Sequence, residues 1–330
     1  MAGNYKIVVM DPLDDEFFNI INGKAYVVKA YQEGCQSLMD VVRDADVIVT
    51  RSSHRIDKTV IDNAKNLKVI ARAGVGLDNI DVDYAIKRGI KVVSVPSAST
   101  EAVAELTMGL IIALARWISS FDRSMHNGEW CKNSKLGIEL MGKTLGIIGL
   151  GRIGSRVAKF AKMFGMRIVA YDPYVSPRKA ERLKVELKDN LDVLLLESDF
   201  VSIHASLTSE TKGLIGEREL KLMKPTAFLI NTARGAIVDE KALIKALKEK
   251  WIAGAALDVY TEEPLPKNHP LRKIENIILT PHIASYTYEA VKRTDEMVLE
   301  ALETFFKGGK PKWIANPEVW HLIELERSKI

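Results

Sequence analysis

The chain has only two cysteines in 330 residues, Cys35 and Cys131, in no CxxC pair and at no metal-ligand spacing. No disulfide framework and no metal centre is expected, and the thiols fit a reducing compartment or simple burial. Long apolar runs are also missing. The most apolar stretch, Leu106 to Ala115, is about ten residues long, against the ~20 that a helix needs to span a bilayer. Charge of one sign is missing as well. The 47 basic and 43 acidic residues leave +4, scattered rather than striped, which gives no electrostatic case for nucleic acid. No internal repeat or low-complexity tract is visible, and the start of the chain shows no signal-peptide pattern. The expectation is a soluble, cytoplasmic protein with no membrane or nucleic-acid partner, long enough for two domains. Its many Lys and Glu residues match the composition of heat-adapted proteins.

What is present is alternation. Apolar, β-rich runs occur at Lys6 to Met10, Ala25 to Val28, Val47 to Thr50, Lys68 to Ala71 and Lys91 to Val95, with polar-faced helical segments between them. This pattern predicts a parallel sheet covered by helices. Pro96 to Thr100 is a small polar break, and one long helix is expected over Glu101 to Phe121. Beyond it, strands are expected at Thr144 to Ile148, Arg167 to Tyr171, Val185 to Leu187, Phe200 to His204, Ala227 to Asn231, Ala253 to Asp258 and Ile277 to Thr280. The last helix is expected over Tyr288 to Phe306, with a solvated tail after it.

The densest signal is Lys143 to Asp172. A buried strand leads into Gly149-Leu150-Gly151-Arg152-Ile153-Gly154, then a helix, then a second strand ending in Asp172. The glycines stand where a dinucleotide needs a tight turn, a close backbone approach and close helix packing, and the helix start offers free N–H groups to a pyrophosphate. Asp172 lies 18 residues after Gly154, near the ~20 expected of an acid that binds the adenosine ribose. Pro173 and Tyr174 follow it, and no Arg occurs before Arg178, so nothing stands ready for a 2′-phosphate. The cofactor expected is NAD.

Other strand ends carry chemistry. Arg51-Ser52-Ser53-His54 and Ala73-Gly74-Val75-Gly76 follow strands in the first half, where open α/β sheets bind ligands. In the second half, Arg234, Glu263 and His282 each lie just past a strand. An Arg fork holds a carboxylate or polarises a keto oxygen, a His exchanges the hydroxyl proton, and a carboxylate orients the imidazole. Hydride chemistry at a carbonyl fits these three.

With GLGRIG and ARAGVGLDNID, these segments resemble the D-isomer-specific 2-hydroxyacid dehydrogenase family over residues 5 to 316. The resemblance implies a Rossmann dinucleotide-binding domain, about residues 98–287, inserted into a flavodoxin-like parallel-sheet substrate domain of residues 1–97 and 288–330. It makes Arg234, Glu263 and His282 the catalytic group. Cofactor contacts are implied for Gly149, Gly151, Arg152, Ile153, Gly154, Asp172, Pro173, His204, Ala205, Thr232, Ala233, Asp258 and Ala284, with Asp258 on the nicotinamide carboxamide and His204 and Ala205 on the adenosine side. Gly74 and Val75 become backbone donors to the substrate carboxylate. A homodimer through about residues 100 to 140 is implied too.

Within the family, Thr50-Arg51-Ser52, the Ala71 to Asp81 segment and Tyr171 to Tyr174 are most similar to 3-phosphoglycerate dehydrogenases. That implies oxidation of 3-phospho-D-glycerate in serine biosynthesis, with Arg51 and Ser52 among the substrate contacts, Arg51 on the phosphate, and Arg55 and Arg72 as possible helpers. Ser99 and Ile283-Ala284-Ser285-Tyr286 depart from that pattern, and the latter reads partly like glyoxylate or hydroxypyruvate reductases. A third reading is an NAD-sensing corepressor, which would retain the same three catalytic-type residues.

Overall fold

A computed structural model describes residues 5–32 and 37–316. Cys35, His321 and the charged tail lie outside the described residues. Two compact units divide the chain, Met1–Ser99 with Thr287–Ile330, and Thr100–Tyr286.

The first unit holds five parallel strands: β1 (Tyr5–Val9), β2 (Ala25–Lys29), β3 (Val47–Thr50), β4 (Val69–Arg72) and β5 (Lys91–Ser94), in the order β2-β1-β3-β4-β5. That is the flavodoxin-like order. β3 and β4 are apolar without alternation because both faces are covered. Ile48 and Ile70 pack on one side with Ile61, while Val47 and Val49 pack on the other with Val298 and Leu302. The helices are started by side chains. Asp57 caps Lys58–Asn63 by accepting from the N–H groups of Thr59 and Val60, and Thr287 caps Tyr288–Phe306 through Ala290.

The second unit holds seven: β6 (Thr144–Ile148), β7 (Arg167–Tyr171), β8 (Glu186–Leu187), β9 (Phe200–Ile203), β10 (Phe228–Asn231), β11 (Gly254–Leu257) and β12 (Ile277–Leu279). Their order, β12-β11-β10-β9-β6-β7-β8, is all parallel and reverses at β6. This is the Rossmann arrangement with one strand added at the edge. Ile147 faces one apolar layer with Leu145, Val157 and Ile111, and Ile148 the opposite one with Ile203 and Leu257.

All twelve expected strands form, each ending within a residue of its apolar limits. The long helix does not run through. It splits into Thr100–Ala115 and Ile118–His126, because Trp117 is left-handed at φ 55°. There its indole packs edge-on against Phe228 and its Nε1 donates to the Leu136 carbonyl at 3.1 Å. Tertiary packing of one large ring overrides helical periodicity. Among the described residues no single helix is long and apolar enough to cross a membrane.

Candidate active site

The cofactor loop leaves β6 at Gly149, which has φ 91°. A Cβ there would sit 2.7 Å from the Ala205 nitrogen and 2.8 Å from the His204 carbonyl carbon. Only glycine lets the β6 and β9 loops close on one another. Gly151 is the helix N-cap, with no side-chain cap on Arg152–Met163 and nothing within 4 Å of an added Cβ. Arg152, Ile153 and Gly154 form the first turn, so its free N–H groups face room for an anion. Asp172 accepts from the Leu150 N–H at 2.8 Å and the Tyr174 N–H at 3.0 Å, and Pro173 beside it is exposed. Each carboxylate oxygen keeps a lone pair for a ribose hydroxyl. This cradle fits a dinucleotide. One member was not read from the sequence. Lys179 donates to the Leu150 carbonyl at 2.7 Å, bringing a cation onto the loop. The only sequence signal was its helical spacing after Pro177.

His204 lies just beyond β9, with ring Nε2 2.8 Å from the Ser202 hydroxyl. Its Nδ1 is buried without a hydrogen-bond partner. Burial pushes the imidazole down to about 3, so it is neutral.

Three loops at the carboxyl ends of β10, β11 and β12 carry the rest. The first is braced by Asn231, which is fully buried. Its amide donates to the Arg234 carbonyl at 2.9 Å and its oxygen accepts from the Ala233 N–H at 3.0 Å. Gly235 then presses onto the next loop so closely that a Cβ would lie 2.0 Å from the Tyr260 carbonyl carbon. Arg234 donates to the Ala233 carbonyl at 2.6 Å.

Asp258, also fully buried, anchors the third loop. Its carboxylate accepts from the Thr280 hydroxyl at 2.6 Å and from the N–H groups of Ile283 and Ala284 at 2.9 and 2.8 Å. Three of roughly four acceptor positions are thus spent on the loop. Asp258 is therefore first a brace, whatever nicotinamide contact it also makes. The brace holds His282 in a left-handed conformation at φ 56°. His282 Nδ1 lies 2.6 Å from Glu263 Oε2, with both side chains about one third exposed. Glu263 Oε1 accepts from the Tyr260 N–H at 3.0 Å. Burial alone pushes the Glu263 carboxyl up. The His282 hydrogen bond, the Tyr260 N–H and the charges of His282 and Arg234 outweigh it and hold the carboxyl below its usual range. Tyr260 bridges the loops by donating toward the Leu257 and Thr280 carbonyls, and burial pushes its phenol up to about 12. Arg234, Glu263 and His282 are thereby brought into one electrostatic group.

In the first unit, the loops after β3 and β4 are stitched together by Asn79, which donates to the Arg51 and His54 carbonyls at 3.0 and 2.7 Å. Thr50 and Arg72 are cross-strand partners. The Arg72 guanidinium lies under Gly74, where an added Cβ would meet Nη1 at 2.7 Å, and it donates to the Ala73 and Gly76 carbonyls. Val75 and Ser52 are exposed. Arg51 is not the solvent-facing cation expected of a phosphate anchor. Its Nη2 donates to Asp295 at 2.6 Å and its Nε to the Pro12 carbonyl, while Asp11 accepts from its backbone N–H at 2.6 Å. Asp295 is nearly fully buried and also accepts from the Asp14 N–H. Nothing in the local sequence announces this partner, which lies 244 residues away.

Among the described residues no group of His, Cys, Asp or Glu could hold a metal. A family profile for the D-isomer specific 2-hydroxyacid dehydrogenase, NAD binding domain, matches residues 108–284. The chain is 46% identical to a D-3-phosphoglycerate dehydrogenase of Methanocaldococcus jannaschii, over 94% of this chain but 59% of that one. It thus spans less than two thirds of that relative's length. It is 48% identical to a glyoxylate reductase of Thermococcus litoralis, over 86% of this chain and 87% of that one. Among solved structures, a D-lactate dehydrogenase from Aquifex aeolicus in complex with NAD and lactic acid superposes with a TM-score of 0.81 at 31% identity, covering 92% of this chain and 96% of that one. A Thermus thermophilus protein superposes at 0.86 with 37% identity, covering 94% and 99%. The cradle, the braced His–Glu pair and these similarities agree: the chain belongs to the D-isomer-specific 2-hydroxyacid dehydrogenase family, an NAD-dependent oxidoreductase whose cofactor domain is the second unit.

Proposed function

We propose that the chain oxidises 3-phospho-D-glycerate to 3-phosphohydroxypyruvate and catalyses the reverse reduction. Bound NAD supplies the hydride acceptor. Glu263 accepts a hydrogen bond from the Nδ1–H of neutral His282, which leaves Nε2 to accept the C2 hydroxyl proton as hydride leaves C2. In reduction the same nitrogen returns the proton to the keto oxygen. Arg234 holds the substrate carboxylate and polarises C2–O with its planar fork. In the first unit, the Gly74 N–H is already donated to the Arg72 carbonyl at 2.8 Å, which leaves Val75 as the backbone donor to the substrate on that loop.

The observation that carries the phosphorylated substrate is a pair of arginines at neighbouring strand ends: Arg72 closes β4 in register with Thr50 of β3, and Arg51 follows Thr50. A second reading, a glyoxylate or hydroxypyruvate reductase, is favoured by the ion pair between Arg51 and buried Asp295, which offsets the charge that a phosphate dianion would seek. Steady-state NAD reduction with 3-phospho-D-glycerate, beside NADH oxidation with glyoxylate, hydroxypyruvate and 3-phosphohydroxypyruvate, separates the two. The first reading expects kcat/KM to favour the phosphorylated pair. Preference for glyoxylate or hydroxypyruvate would move the enzyme to the second.

We also propose a homodimer formed through residues 100–140. In that region Trp130 is 80% exposed and Leu136 93% exposed, an apolar display that solvent does not favour.

A further inference from the structure

Behind the Arg234 loop, two buried threonines meet. Thr107, in the helix Thr100–Ala115, and Thr232, the first residue after β10, have hydroxyl oxygens 3.0 Å apart. Thr107 is fully buried and Thr232 nearly so. The same Thr107 oxygen lies 2.8 Å from the Val103 carbonyl. A hydroxyl has one proton, and two oxygens at that distance repel unless a proton lies between them. The Thr107 proton is therefore spent on Val103, and Thr107 can only accept from Thr232. That commits the Thr232 proton in turn. What remains on Thr232 is lone pairs, two residues before the arginine that holds the substrate.

We propose that Thr107 is a positioning residue that fixes Thr232 as an acceptor-only group, matched to the N–H of the nicotinamide carboxamide. This role rests on the cofactor reading of the loop and not on the identity of the substrate. A hydroxyl free to rotate would serve a donor or an acceptor equally. A hydroxyl whose proton is committed rejects a ligand that offers only an acceptor or a methyl group, because a buried lone pair is then left unmatched.

The test is equilibrium binding without substrate, followed by quenching of tryptophan fluorescence. The ligands are NADH and the reduced 3-acetylpyridine analogue, in which a methyl group replaces the carboxamide NH2. Wild type is expected to bind NADH about tenfold more tightly than the analogue. Thr107→Val keeps the side-chain shape but frees the Thr232 proton to turn toward the acetyl oxygen, so the preference should shrink severalfold. Thr107→Ser retains the relay and should keep the wild-type ratio. Thr232→Val removes the acceptor and should bring the ratio close to one. A ratio unchanged in Thr107→Val would overturn the relay, and a ratio unchanged in Thr232→Val would remove Thr232 from the nicotinamide contact altogether. A failure of the substrate assignment alters neither measurement.

Discussion

The neutral, part-buried His204, whose Nδ1 is shut away from solvent, makes a quantitative demand on stability. Its folded-state value is about 3 because burial penalises the charged ring, whereas the unfolded chain titrates near the usual ~6.5. The folded value is the lower one. The associated stability is therefore complete above pH 6.5 and drains away as pH falls toward 3, while the unfolded state gains a proton that the folded state refuses. Integrating that difference from pH 8 to pH 5 gives a loss of about 2 kcal/mol from this one ring, with a limiting slope of about 1.4 kcal/mol per pH unit. The comparison is wild type against His204→Gln, which retains a polar atom toward the Ser202 hydroxyl but cannot ionise. Urea denaturation at pH 8 and pH 5, followed by tryptophan fluorescence, yields the pH effect for each protein. Other histidines and the carboxylates contribute to both, so the difference between the two pH effects isolates His204. Wild type should lose about 2 kcal/mol more than the variant. Parallel losses would refute the reasoning, since they would mean that the ring accepts a proton within the folded structure.

Four further outcomes are expected. His282→Ala should lower kcat by ~10²–10⁴-fold, and Glu263→Gln by about 10²-fold, with NADH affinity changed little in either; near-normal turnover in His282→Ala would remove it as the acid–base group. Arg51→Gln should destabilise the first unit by about 3 kcal/mol because buried Asp295 loses its partner, and adding Asp295→Asn should restore much of that in a denaturation assay. If the restored double variant still turns over 3-phospho-D-glycerate normally, Arg51 does not read the phosphate. Asp172→Ala should weaken NADH binding by about tenfold and narrow the gap to NADPH, measured by fluorescence titration; an unchanged ratio would take the ribose contact away from Asp172. Leu136→Glu should convert a dimer into a monomer in light scattering, whereas a wild-type monomer at micromolar concentration would end the dimer proposal.

What the sequence made legible, and what it hid, follows one physical division. Strands such as Val47–Thr50 and Thr144–Ile148 could be read because a parallel sheet covered on both faces demands unbroken apolar runs, and the demand is local. The glycine loop could be read for the same reason: Gly149 and Gly151 answer to their own turn and their own helix. Trp117 was hidden because the feature that breaks the helix is an aromatic partner, Phe228, more than a hundred residues away. The charge state of the loops was hidden in the same manner. Arg51 reads as a cation, yet whether it presents a charge depends on Asp295. Asp258 reads as a ligand contact, yet most of its acceptor capacity goes to residues 280–284. Thr232 reads as one small polar residue among several, and its hydrogen-bond polarity is set by Thr107 on another element. A side chain's chemistry is a property of its residue type, but its unspent valence is a property of the fold. Arg51, Arg72 and Arg234 show the same division: each is a cation by residue type, and each already donates to partners that the fold supplies.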